Sequence, residues 1–200
     1  MMSPVSKYRM SFSVGGLMLN ESLAIAQAYR PGETWADARE RLLAQSASSL
    51  PKLASQTRAL REVYDRIGQL SDAEREFMTT QADRGEQQGM TWLAICRTYR
   101  FVYEFAVEVM NDRFQSWRLD LGHEVFDRFL ADKSECDPSL ADLSESTAAK
   151  LRQVLYRILR EAGLRSVEGK IQPIWLSGRM KRLIEERNPA DLGIFPGNGG

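Results

Sequence analysis

Histidine occurs once and cysteine twice in this chain, and that scarcity removes whole classes of chemistry. His123 stands between Gly122 and Glu124, where a lone imidazole more readily caps a helix start than serves as a base or ligand. Cys96 and Cys136 fall in a helical pattern and a loop, far apart in sequence, so they make neither a zinc-type pair nor a disulfide framework. They read as reduced thiols of a cytoplasmic protein. No apolar run approaches the roughly 18 residues a membrane span needs, and the start of the chain, with Lys7 and Arg9, lacks the apolar core of a signal peptide. Phosphate and nucleophile motifs are missing too: there is no GxxxxGK[ST], no GxGxxG and no GxSxG. Glu104 and Glu108, one helical turn apart on a narrow polar strip, are weak ground for a carboxylate hydrolase. A non-enzymatic protein without metal or cofactor is expected.

What remains is ample material for a core. The chain has 43% hydrophobic and 27% charged residues at zero net charge, which fits one globular unit and excludes a polybasic coat for nucleic acid. Apolar residues recur almost everywhere at helical spacing. Leu17 to Tyr29 reads as a helix closed by Pro31 and Gly32, and Thr34 with Asp37 opens a second, a pair that is either an ordinary helical hairpin or a helix-turn-helix. After a polar loop at Ser46 to Ser49, a helix from about Lys52 to Leu70 carries Arg58, Arg61 and Arg66 on a solvated side. Ser71 with Glu74 is a capping box for a short helix, and Asp83 to Gly89 reads as a break or a loosely wound first turn. Met90 to Phe114 is the most apolar stretch, through Trp92, Leu93, Cys96, Phe101, Phe105, Val109 and Met110, and is expected at the centre of the fold. A basic cluster of Arg97 and Arg100 beside Tyr99 has no role that spacing alone assigns. Leu119 to Ala131 and Pro138 to Leu143 give two further helices.

The segment Ser144 to Ile174 combines a long helix with a tight turn. Ser144 or Ser146 can cap it and Gly163 can end it in a left-handed residue. Ala148, Leu151, Leu155, Ile158, Leu159 and Ala162 share one face; Lys150, Gln153, Arg157 and Arg160 line the other. Leu164 to Gln172, with Glu168 and Gly169 as turn pair, fits a short β-hairpin. Helix and hairpin together look like the recognition helix and wing of a winged helix-turn-helix. From 144 to 187 there are ten basic residues against five acidic, whereas 120 to 143 holds two against seven, so a neutral chain divides into oppositely charged neighbours. Basic residues opposite an apolar face are also what any solvated helix carries. Ser177 can cap a last helix bearing Arg179, Lys181 and Arg182; the tail from Asn188, with Pro189, Pro196 and its glycines, is expected to be flexible.

Linked motifs then carry a resemblance. Tyr8-Arg9-Met10-Ser11-Phe12, Gly15-Gly16-Leu17 and Leu19-Asn20-Glu21-Ser22 resemble the opening of the BrxA family of bacteriophage-exclusion (BREX) defence systems. Trp92-Leu93-Ala94, Cys96-Arg97, Tyr99-Arg100-Phe101 and Phe105-Ala106-Val107-Glu108-Val109 are similar to its middle motif. Leu151-Arg152-Gln153-Val154-Leu155, Leu159-Arg160-Glu161-Ala162-Gly163-Leu164, Ile171 and Pro173 are similar to its C-terminal one. The resemblance covers about Lys7 to Arg187. It implies an all-helical, non-enzymatic protein with helix-turn-helix elements and double-stranded DNA affinity, working beside a methyltransferase, an ATPase and other defence components. The family has also carried the label of an inner membrane protein, which Arg97, Arg100, Glu104 and Glu108 contradict here by interrupting the most apolar segment.

The expectation is therefore an all-α, compact helical domain over 1–187 with a hairpin wing near 164–172, divisible into halves 1–118 and 119–187, and a flexible tail 188–200. It would be a cytoplasmic monomer that binds duplex DNA through Lys150, Gln153, Arg157 and Arg160 on the long helix, Arg165 and Lys170 on the hairpin, and Arg179, Lys181 and Arg182 on the last helix. The alternative is an adaptor whose two charged surfaces dock defence partners, with DNA affinity incidental.

Overall fold

Asp83 accepts the Glu86 amide at 2.9 Å while Glu86 reaches back to the Asp83 amide at 3.0 Å, and this reciprocal cap starts the helix around which the others pack. The computed structural model describes residues 7–30, 32–49 and 53–198. In it α5 (Arg84–Thr98) has Met90, Trp92, Leu93, Ala94 and Ile95 wholly buried. Asp83 to Gly89, read as a break or a loosely wound first turn, is thus the cap and first turns of a regular helix. The apolar stretch over 90–114 is not one continuous helix: Tyr99 adopts an extended conformation, α6 (Arg100–Glu104) restarts the helix, Phe105–Asn111 is wound as a π-helix, and α7 (Asp112–Gln115) completes it. The kink lets the Tyr99 hydroxyl meet Glu62 at 2.5 Å, and the wider π turns still keep Phe105, Ala106 and Met110 inside.

Around this axis lie α1 (Leu19–Ala28), α2 (Trp35–Ser49), α3 (Leu53–Ile67) and α4 (Asp72–Thr80), then α8 (His123–Ser134), α9 (Pro138–Ala141), α10 (Glu145–Glu161) and α11 (Gly178–Arg187). The polar stretch Ser46 to Ser49 is helical, not a loop. Pro31 and Lys52, expected at a helix end and a helix start, fall outside the described residues. One apolar cluster runs from Tyr8 to Phe195. Phe101, Phe105, Phe126, Phe129 and Tyr156 pack edge to face or tilted within it, joining the central helices to α8 and α10.

One arginine expected at the surface and one left without a role are both inside. Arg66, read as solvated, is fully buried on α3; its guanidinium donates to the Gly16 carbonyl at 2.9 Å and lies over the Tyr99 ring. Arg97 joins Glu74 through two bonds of 2.8 and 2.9 Å and Asp191 through one of 2.8 Å, while Arg187 adds a longer contact to Glu74. Paired charges of this kind are what make deep burial of ions tolerable. The network also explains the tail. The chain after Arg187, expected to be flexible, forms a 3-10 helix over Pro189–Ile194; Asp191, Ile194 and Phe195 are buried, and the Ile194 carbonyl accepts the Trp92 indole N–H.

The hairpin expected over 164–172 does not form as strands, and no strand occurs among the described residues. Arg165 and Ile171 make an isolated antiparallel bridge, and a second joins Lys170 to Asp120. The Gln172 amide donates to Leu164, Ile171 to Leu119 and Leu121 to Gly169, so three short segments lie side by side. Pairing stops because the turn at Ser166 to Gly169 takes up one end and Pro173, without an N–H, closes the other.

Candidate nucleic-acid interface

α10 is fixed at both ends and along one face. Ser144 accepts the Thr147 amide at 3.3 Å as N-cap. At the other end the Leu164 amide returns to the Leu159 carbonyl at 2.8 Å and Gly163 to Arg160 at 3.1 Å, with Gly163 at φ 77°. That left-handed turn is one a glycine adopts without a Cβ clash. Leu151, Leu155, Ile158, Leu159 and Ala162 are buried, as the wheel requires. Tyr156 also turns inward and donates its hydroxyl to the Gly122 carbonyl at 2.6 Å; burial pushes its pKa up to about 12, against a smaller opposing effect of Arg165. Arg152 pins α10 to α8 through Asp127 at 2.5 and 2.7 Å.

The opposite stripe faces solvent. Lys150, Gln153, Arg157 and Arg160 are all exposed, and from Lys150 to Arg160 the stripe runs about 15 Å along the helix. They are not equivalent. Arg157 is held by Glu161 at 2.7 Å, while Lys150, Gln153 and Arg160 make no ion pair or side-chain hydrogen bond with a described residue. Two cations and an amide are thus open on a face wide enough to cross a DNA major groove.

The remaining residues named from the sequence divide into two places. Arg165 is half-buried: it donates to the Leu121 carbonyl at 3.1 Å and its guanidinium covers the Tyr156 ring at 4.6 Å, so it braces the turn against α10 and α8. Lys170 is exposed on the bridged segment. Arg179 and Arg182 are exposed and Lys181 is half-buried on α11, which Ser177 caps and which packs on α4 and the final 3-10 helix. α10 packs instead on α8 and the N-terminal 3-10 turn, Ser11–Ser13. Helix periodicity found the open stripe, but it did not single out Arg157, whose partner Glu161 lies one helical turn on, or Arg165, whose contacts with Leu121 and Tyr156 are set by tertiary packing.

His123 is exposed at the start of α8, Cys96 is buried and Cys136 exposed, both free, and no group of metal-binding side chains occurs among the described residues. No helix among the described residues is long and apolar enough to cross a membrane.

With this geometry in place, comparison with known proteins is informative. A curated relative from Paramagnetospirillum magneticum (strain ATCC 700264 / AMB-1), described as BREX protein BrxA, is 31% identical over 87 residues. That match takes in 42% of this chain and 44% of the relative, less than half of either. A crystal structure of an uncharacterized protein from Magnetospirillum magneticum has the same fold, with a TM-score of 0.74 at 22% identity, covering 93% of this chain and 96% of the other. The sequence profile of the BrxA family matches residues 6–188, nearly the whole chain. The chain belongs to the BrxA family, which associates it with BREX phage defence.

Proposed function

We propose that this chain is a non-enzymatic, double-stranded DNA-binding component of a BREX-type defence system, acting in the cytoplasm as a monomer. The contact face is the exposed stripe of α10 with Lys170 beside it, in the C-terminal half, 119–187, of a single unit. Lys150 and Arg160 meet phosphates or base edges, and Gln153 can pair with an adenine edge. Arg165 supports the turn. Arg179, Lys181 and Arg182 form a secondary cationic group that extends contact to flanking backbone. The observation that carries this reading is the pair of open cations on a capped, rigidly packed helix. The order α8, α9, α10 and turn adds support, since it is the order of a helix-turn-helix followed by a wing. Electrophoretic mobility of a plain duplex with salt titrated tests it: binding should weaken steeply as salt rises.

A second reading has its own observation. Asp120, Glu124, Asp127, Asp132, Glu135 and Asp142 are all exposed on and around α8, an acidic surface that would repel phosphate. Such a face suits a basic partner, and other BREX components, including a methyltransferase or an ATPase, are the candidates. A stoichiometric complex with such a partner, without duplex affinity, would favour the adaptor over the DNA-binding protein.

A further inference from the structure

The same backbone device occurs twice beside the turn, and only once with the residue that suits it. At the end of α7 the Arg118 amide donates to the Arg113 carbonyl at 2.8 Å and the Trp117 amide to Phe114 at 3.1 Å. This repeats the hydrogen bonds that Gly163 and Leu164 make at the end of α10. The residue in the left-handed position is Trp117, at φ 58°, where backbone energetics ask for glycine. Its side chain gains nothing from the fold in return, being 86% exposed. Local strain at an exposed site points to a use outside the fold.

A second indole stands nearby. Trp175 is 87% exposed and lies three residues beyond Gln172, the residue bonded to Leu164 at the end of α10. The ring of Phe114 and the Pro173 Cβ both pack within 3.6 Å of a Cβ position at Gly197, and Asn198 donates to the Ile174 carbonyl at 2.8 Å, so the two segments that carry the indoles share one packed base. Across the bridged segments Leu164 bonds to Gln172 and Leu119 to the preceding residue, Ile171, with neighbouring segments about 5 Å apart. Trp117 and Trp175 are therefore within roughly 10 to 15 Å of the C-terminal end of α10.

Charge near the indoles is balanced. Arg113, Arg118 and Lys170 are offset by Asp112, Asp120 and Glu168; Arg118 is paired with Asp112 at 2.9 Å, and Arg113 is spent on the Asp120 carbonyl. Phosphate neutralisation does not explain this patch, whereas stacking on a base face needs no net charge.

We propose that Trp117 and Trp175 are stacking platforms for unpaired bases, so that the chain binds DNA with a short unpaired stretch more tightly than uninterrupted duplex. The proposal rests on the DNA-binding reading of α10 and assigns that site its preferred form of DNA. Stacking of one base on each indole should favour the unpaired form by about tenfold or more.

The test is fluorescence anisotropy of the full chain with two labelled DNAs of one sequence, a plain duplex and the same duplex with a short central bubble, alongside indole emission. Tighter binding of the bubble, with quenching of the exposed indoles, is expected. Trp117→Gly should remove much of that preference while leaving the melting temperature unchanged or raised, because it puts glycine in a left-handed position. Trp175→Ala should act in the same direction, and neither should alter the salt slope. Equal affinity for bubble and duplex, or a bubble preference that survives both substitutions, would overturn this inference and leave the duplex-binding reading standing. Failure to bind either DNA would overturn both.

Discussion

Glu161 holds the Arg157 guanidinium at 2.7 Å with one carboxylate oxygen and accepts the Leu17 amide at 2.7 Å with the other. The outer face of α10 is thereby fastened to the N-terminal segment. Gly16 makes the approach possible, since a Cβ there would lie 2.4 Å from that carboxylate. Arg157 belongs as much to the fold as to any DNA-facing stripe.

Glu161→Ala should accordingly destabilise the protein by about 1 to 3 kcal/mol, because a backbone amide loses a charged acceptor and Arg157 its partner. Arg157→Ala should cost less, about 0.2 to 1 kcal/mol, as an exposed ion pair does. Paired chemical denaturation curves check this. Equal stabilities for Glu161→Ala and wild type would show that the N-terminal segment is not held at this point.

Leu155 is fully buried between α10 and the central aromatic cluster. Leu155→Ala leaves a cavity there and should cost roughly 2 to 5 kcal/mol. A melting temperature equal to that of wild type would mean that α10 is rotated from the orientation described.

Acid should loosen the C-terminal segment. Burial alone would raise the Glu74 carboxyl, but the Arg97 bonds, the Ser71 amide and the Arg187 charge outweigh it and hold the group below its ordinary 4.5. A carboxyl depressed in the folded state contributes stability that is present above the unfolded value and lost as pH falls through the folded one. Glu74→Gln should flatten that acid limb and, by leaving Arg97 short of a partner, cost about 3 to 5 kcal/mol at neutral pH. Denaturation midpoints measured against pH for the two proteins decide it; parallel acid limbs would contradict the assignment.

Alkali should act through Tyr156. Its hydroxyl stays protonated in the fold up to about 12, whereas in the unfolded chain it ionises near 10, so stability is complete below pH 10 and declines from there to about 12. Tyr156→Phe should remove its share of that decline. Tyr8 is raised to the same range by burial and by Glu104, so a residual slope is expected in the variant.

Much of the helical plan was legible because it is written locally. Ser71 with Glu74, Ser144, Gly163 and Ser177 are caps whose partners lie within four residues, and the inner face of α10 follows from its own periodicity. What failed depended on partners distant in sequence. Arg66 looks like a surface cation until Gly16 and Tyr99 surround it, and Arg97 has no assignable role until Glu74 and Asp191 pair with it. The tail looks flexible from its prolines and glycines, yet Ile194 and Phe195 find a pocket beside Trp92. The hairpin expected from Glu168 and Gly169 is only a turn with two bridges, and its third segment, Leu119 to Leu121, has no strand signal of its own. At the candidate interface the open stripe was visible in the wheel, but the exposure of Trp117 and Trp175 was not. Aromatic residues in a chain this rich in core aromatics give no sequence sign that they face solvent.

The most direct measurement is the salt dependence of duplex affinity for the double variant Lys150→Gln, Arg160→Gln, compared with wild type. Both residues are exposed and free of described ion pairs, so stability should change by no more than about half a kcal/mol. If each neutralises one phosphate, binding should weaken and the slope of log affinity against log salt should become shallower by about 0.9 per residue. An unchanged affinity with an unchanged slope would contradict α10 as the DNA-facing element.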